Sequence, residues 1–319
     1  MDFYQVLQII IPSMIALAAP LIFTSLGGVF SERAGVINIG LEGLMVIGAF
    51  TGIVFNLMFA DVFGEWTPWL AVLAAMIAGL LFSILHAVAC ITFRADQTVS
   101  GVAINLLAVG LTMFLVKLIF DKGQTDRITE TFPRIDVPLL SDIPFIGPIF
   151  FANGYYIVYI AILISFVVWY VLYKTPFGLR IRAVGEHPMA ADTMGVNVTK
   201  IRYAAVLLSG AFGGIGGAIY ATIFSNEFNH ATINGQGFMA IAAMIFGKWH
   251  PIGAMGAALF FGLAQSLSIV GSSLPFFKDI PSVYLLIAPY VLTIIALTGF
   301  IGRADAPKAS GQPYIKGKR

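Results

Sequence analysis

Nine stretches of this sequence run without a single Asp, Glu, Lys or Arg: Phe3–Ser31, Gly43–Ala60, Trp66–Phe93, Gln97–Val116, Ile143–Tyr173, Tyr203–Asn226, Phe228–Gly247, Trp249–Phe277 and Ile280–Gly302. Most reach the ~20 residues that a helix needs to cross the hydrocarbon layer of a bilayer. Backbone groups in lipid must bond to one another, which leaves helices or closed barrels. Barrel strands would show segments of about ten residues with alternating polarity, and none is present. The sequence therefore predicts an all-α, polytopic membrane helical bundle of about 8–10 transmembrane helices, some glycine-broken or half-length. Composition agrees, because 59% of the 319 residues are apolar and 11% charged, against about 25% charged in soluble domains. A soluble enzyme is excluded.

Basic residues collect in two places, Lys174–Arg202 and Arg303–Arg319, and the positive-inside bias makes both cytoplasmic. Four crossings fit between them, near 203–224, 236–247, 251–271 and 282–301. Five more precede, at 5–28, 37–60, 68–91, 98–120 and 154–173, giving nine in all and an N-terminus outside. Thirteen Lys and Arg then lie inside and five outside. One transmembrane domain, 1–302, is expected, with an external loop at 121–153, a cytoplasmic loop at 174–202 and a basic cytoplasmic tail at 303–319. The N-terminal segment has no basic n-region, so the first helix is expected to be retained. Cys90 has no partner, which removes disulfides and cysteine metal sites.

Two apolar segments are broken by glycine in the two halves of the chain: Gly27 to Gly43, which includes Glu32, Arg33, Asn38 and Glu42, and Asn234 to Pro251. Unwound backbone at membrane depth survives where it lines a cavity or is buried in protein, so paired interruptions point to a substrate path. Close helix packing is the alternative for these glycines. It is the preferred reading for Ser209–Ala218, where small residues recur every four positions. Glu42 sits where a helix dipole favours a carboxylate, either as a cap, as a partner of Arg33, or as a substrate contact. His86 reads as a hydrogen-bonded interior residue.

Nucleotide-hydrolysing Gly-x-x-x-x-Gly-Lys-Ser/Thr is absent, as are His-Glu-x-x-His and Gly-x-Ser-x-Gly. Few ionisable residues fall inside the spans, unlike ion-coupled carriers. In the 174–202 loop, Pro188 can open a short helix and Gly195 can close it. A two-turn helix flanked by basic residues reads as a contact element for a cytoplasmic partner.

Phe30-Ser-Glu-Arg-Ala-Gly-Val-Ile-Asn-Ile-Gly-Leu-Glu-Gly43 and Gly185-Glu-His-Pro-Met-Ala-Ala-Asp-Thr-Met-Gly-Val-Asn-Val198 resemble the membrane permease subunits of bacterial ABC importers of the branched-chain amino acid, ribose and nucleoside group. The first motif is most like the nucleoside-type, binding-lipoprotein-dependent permeases. The resemblance implies that the loop helix fits a cleft in a cytoplasmic ATP-binding cassette ATPase through Gly185, Glu186, Ala190, Ala191 and Gly195. Met189 stands where the general importer pattern has Glu. It also implies a second, related permease in a heterodimer, an external substrate-binding lipoprotein, and residence in the bacterial plasma membrane. ATP would be bound by partner subunits, with no cofactor on this chain and no role for nucleic acid.

A nucleoside has a polar ribose and a flat base, so the path is expected to combine amide and carboxylate groups with aromatic faces. Asn38, Glu42, Gln97, Asn105 and Gln236 are the polar candidates, Asn38 and Glu42 four residues apart on one helix face. Phe50 and Phe238 are the aromatic ones. A ribose-type ABC permease and an ATP-independent facilitator or channel are the alternatives.

Overall fold

The computed structural model describes residues 3–270 and 306–317, together with Tyr284, Ile287 and Val291. Among the described residues the membrane part is helical except at two interruptions, 34–40 and 226–235. In order, the helices are α1 (Phe3–Arg33), α2 (Leu41–Phe63), α3 (Thr67–Ala87), α4 (Gln97–Phe120), the short α5 (Gly147–Phe150), α6 (Tyr156–Lys174), α7 (Pro176–Glu186), α8 (Pro188–Thr193), α9 (Val198–Tyr220), α10 (Gln236–Phe246) and α11 (Pro251–Val270). Six apolar stretches are long enough to span a membrane, and one of them, Leu41–Thr92, contains both α2 and α3, which fold back on each other at Gly64. Seven long helices therefore match seven of the nine expected crossings, and at 236–247 stands the half-length α10. The ninth, 282–301, lies outside the described residues.

Local chemistry sets the ends. Asp96 caps α4 by accepting from the Val99 amide, 2.9 Å, and Asn197 caps α9 by accepting from Lys200, 3.0 Å. Thr175 accepts from the Gly178 amide at the start of α7, and Pro176 and Pro188 open α7 and α8, where no N–H is needed.

Helices in lipid gain no hydrophobic drive from meeting one another, so tight packing must hold them together. α9 is the centre of the bundle, touching α1, α2 and α3. A Cβ at Gly214 would run into the Ala75 carbonyl of α3, and one at Gly217 into the Met45 carbonyl of α2. Backbone there meets backbone, which confirms the packing role expected for 209–218. α1 crosses the other side of α9 and also contacts α6, α10 and α11, burying Leu21, Ile22 and Leu26 completely. By contrast α4 presents Leu106, Phe114 and Leu118 outward, as a lipid-facing helix does.

Residues 121–153 are not a detached excursion. The Thr125 amide donates to the Phe228 carbonyl and Ile128 to that of Asn226, while Arg127 pairs with Glu227 at 3.1 Å. The segment thereby covers the connection between α9 and α10.

Candidate functional site

The two glycine-broken segments are non-helical only in part, Gly27 to Arg33 continuing α1 and Gln236 to Phe246 forming α10, and the non-helical parts, 34–40 and the stretch before α10, meet at Glu42. Between α1 and α2 runs a seven-residue connector, Ala34–Gly40, almost wholly buried. The amides of Ala34, Gly35 and Val36 donate back to carbonyls at the end of α1, and beyond them side chains of neighbouring helices take over. Gln97 Oε1 accepts from the Ile37 amide at 2.7 Å, and Asn105 Nδ2 donates to the Ile39 carbonyl at 3.1 Å. His86 Nε2 bonds the Ile37 carbonyl at 3.0 Å, so that nitrogen carries the proton, and Nδ1 accepts from Ser100 at 2.9 Å. Asn105 Oδ1 also accepts from the Gly43 amide, 2.7 Å, in the first turn of α2.

The second break brings the N-terminus of α10 onto Glu42. One carboxylate oxygen accepts from the Gly235 amide at 2.5 Å, and the other from Gly237 at 2.5 Å and Phe238 at 3.3 Å. Gly235 has φ +96°, a left-handed backbone that glycine adopts without strain. A Cβ at Gly237 would collide with the Glu42 backbone, so glycine is what allows the approach. Glu42 itself lies in the first turn of α2, and the positive ends of two helices converge on one carboxylate.

The other end of α10 is held by the end of α1. Trp249 Nε1 donates to Glu32 at 2.5 Å, Arg33 Nε donates to the Trp249 carbonyl at 2.8 Å, and Arg33 Nη2 donates to the Lys248 carbonyl at 3.2 Å. Lys248 and Trp249 both have positive φ. Since α10 has 11 residues and spans about 16 Å, Glu42 and Arg33 are separated by roughly that length along it, with the connector alongside. The ring of Tyr173 is flanked by the Arg182 guanidinium at 4.7 Å and His250 at 4.9 Å. Partial burial, followed by the positive charge of Arg33, holds the His250 imidazole below its ordinary 6.5.

The polar candidates thus gather at this crossing, with changed roles. Asn38 precedes α2, because helical geometry begins only after Gly40, and so it does not share a helix face with Glu42. Its Nδ2 donates to Ser209 at 2.9 Å, while its buried Oδ1 has no hydrogen-bond partner among the described residues. Gln97 Nε2 is likewise unpartnered. Gln236 links the Asn234 amide to the Tyr220 hydroxyl. Glu42 caps α10 and is not the partner of Arg33. Phe50 packs edge-on against Phe228 in a buried cluster, whereas Phe238 is half exposed on α10. The clasp of Glu32 and Arg33 on 248–249 is a feature that sequence reading missed. Its signal was an acid and a base side by side at the end of an apolar run.

The 174–202 loop folds as a helical hairpin of α7 and α8. Gly195, φ +83°, turns the chain after α8 with open space around it. Leu179, Ala183, Ala190, Met194 and Val196, with Glu186 and His187 at the edge, line an almost wholly apolar recess of about 560 Å³. Met194 is 83% exposed. Ala191 turns inward against Val184 and Val198. Gly185 is not on the recess: a Cβ there would strike the Arg33 carbonyl, so the hairpin is seated directly on the end of α1.

The family described as branched-chain amino acid transport system, permease component, matches residues 10–297. The chain belongs to this family. The permease is 66% identical over 319 residues to a guanosine ABC transporter permease protein of Bacillus subtilis, with all of both chains covered. It is 54% identical over 318 residues to a nucleoside ABC transporter permease protein of Lactococcus lactis, again over the whole of both. A solved ABC transporter described as metal-chelate type, in an inward-facing conformation, shares the fold with a TM-score of 0.51, 15% identity and coverage of 90% and 85% of the two chains.

Proposed function

We propose that this permease is the membrane subunit of an ABC importer for nucleosides, working by alternating access and driven by a separate ATPase that grips the α7–α8 hairpin. The observation that carries the reading is the fastening of that hairpin. Its exposed apolar recess suits a protein partner, and its base rests on the end of α1, where Arg33 holds the inner turn of α10. A push on the hairpin is therefore applied to the elements that close the broken-helix crossing. The names of the two whole-length relatives support nucleosides as the substrate class.

Free energy comes from the partner, so this chain needs differential contact with two ATPase states and no catalytic group or cofactor. A second, related permease is inferred from α10. Asn234 and Phe238 are exposed beside non-helical backbone, which lipid would not tolerate. A partner subunit across a shared, water-filled path covers it. An external lipoprotein delivers the nucleoside. The sidedness agrees with the contacts: Ala309 bonds Gly185, and 125–128 bonds 226–228, so each pair shares a side. The charge bias puts the first pair in the cytoplasm and the N-terminus outside.

Cells carrying the complete system and fed labelled uridine, guanosine, ribose and leucine test this. Uptake of the two nucleosides, lost when the ATPase is disabled, is expected. Ribose uptake without nucleoside uptake, or nucleoside uptake indifferent to the ATPase, overturns it.

A further inference from the structure

The tail does not hang free as a basic extension. Residues 306–317 lie back across the bundle, with Pro307 and Ala309 buried. The Ala309 amide donates to the Gly185 carbonyl of α7 at 2.9 Å. The Ala309 carbonyl closes on Gly35 of the connector, where an added Cβ would lie 3.1 Å away, and Gly311 sits against the Ile37 side chain. Tyr314 packs beside Ala191, Val184 and Val198. Ala309, Gly311, Gln312 and Tyr314 thus touch α7, α8, α9 and the connector between them.

Arg202 marks the middle of this path. It is 2% exposed, and Nη1 donates to the Gln312 carbonyl at 2.9 Å. Nε and Nη2 have no hydrogen-bond partner among the described residues. A buried cation whose single hydrogen bond among the described residues goes to a tail carbonyl adds little to folding, since taking a charge out of water is costly unless it is well paired. Its position is better explained by what it holds.

We propose that residues 307–314 form a strap that carries movement of the α7–α8 hairpin to the 34–40 connector, with Arg202 as its positioning residue. The inference rests on the importer reading above. α8 takes the push of the ATPase, and the tail is a second route from Ala191 to the connector, beside the direct seat of α7 on the end of α1. From Tyr314 it runs through Gln312, held by Arg202, to Gly311 against Ile37 and Ala309 against Gly35. The connector in turn holds Asn38 and opens α2 at Glu42.

The complete complex in vesicles, assayed for both ATP hydrolysis and nucleoside uptake, tests the strap. Truncation after Asp305 is expected to leave hydrolysis within about twofold and to lower uptake per ATP about tenfold or more. Arg202→Met should lower the same ratio about threefold, and Arg202→Lys, which can still reach the Gln312 carbonyl, should restore most of it. Arg202→Met also keeps the test open if the truncated chain does not assemble. A ratio unaltered by truncation or by Arg202→Met overturns the strap. Absence of ATP-driven nucleoside uptake by the intact complex would instead refute the importer reading.

Discussion

Glu42 has the most to lose from a small change. Replacing it with Gln keeps the size but turns one of the two accepting oxygens into a donor facing the amides of Gly237 and Phe238, or that of Gly235. Hydrogen bonds to a charged group are worth about 1.5–3 kcal/mol each, so Glu42→Gln is expected to lower thermal unfolding of the detergent-solubilised chain by roughly 5 °C. Uptake should fall with it. His250 gives a pH signature. Its folded pKa lies below the unfolded value, so the unfolded chain takes up a proton that the folded chain resists. The stability it contributes is whole above about pH 6.5 and declines as pH falls below that. Melting temperatures measured from pH 7.5 to 5.5 should show the native chain losing ground to His250→Gln only on the acid side. Polar residues within charge-poor runs were visible in the sequence, and all five polar path candidates meet at one place. Their roles were not legible, because Glu42, Gln97 and Asn105 bond backbone amides and carbonyls, which every residue carries, and the hydroxyls that Asn38 and Gln236 meet, Ser209 and Tyr220, come from α9.

Among the elements, α8 is the one whose ends could be read directly, from Pro188 and Gly195, since proline and glycine act on local backbone alone. The inner face of the hairpin was hidden: Gly185 looks like any turn glycine until the end of α1 is placed beneath it. Ala190→Asp puts a charge in the apolar recess without touching the bundle. It is expected to leave the permease in the membrane and to cut co-purification of the ATPase, with ATP-driven uptake, about tenfold; undiminished co-purification would mean that the recess is not the contact. The nonhelical stretch 34–40 was legible only as a glycine-rich interruption. Its length was set by tertiary contacts, as Gln97, Asn105 and His86 stabilise a backbone that local preference does not favour.

For the whole molecule, single cysteines at Asp126 and Met194 in a Cys90→Ser background should react with an impermeant thiol reagent from opposite sides of the membrane. Reaction from the same side would break the arrangement of crossings. Charge-free runs gave the helices and their order because lipid imposes one demand on every spanning segment. They could not show which helix lies at the centre, since that depends on how closely backbones approach. At Gly214 and Gly217, α9 rests on the main chains of α3 and α2 with no side chain between. Such a joint has no rotamers to exchange and so cannot slide by small steps. These three helices act as a keel, and whatever opens and shuts to let a solute through must swing around it.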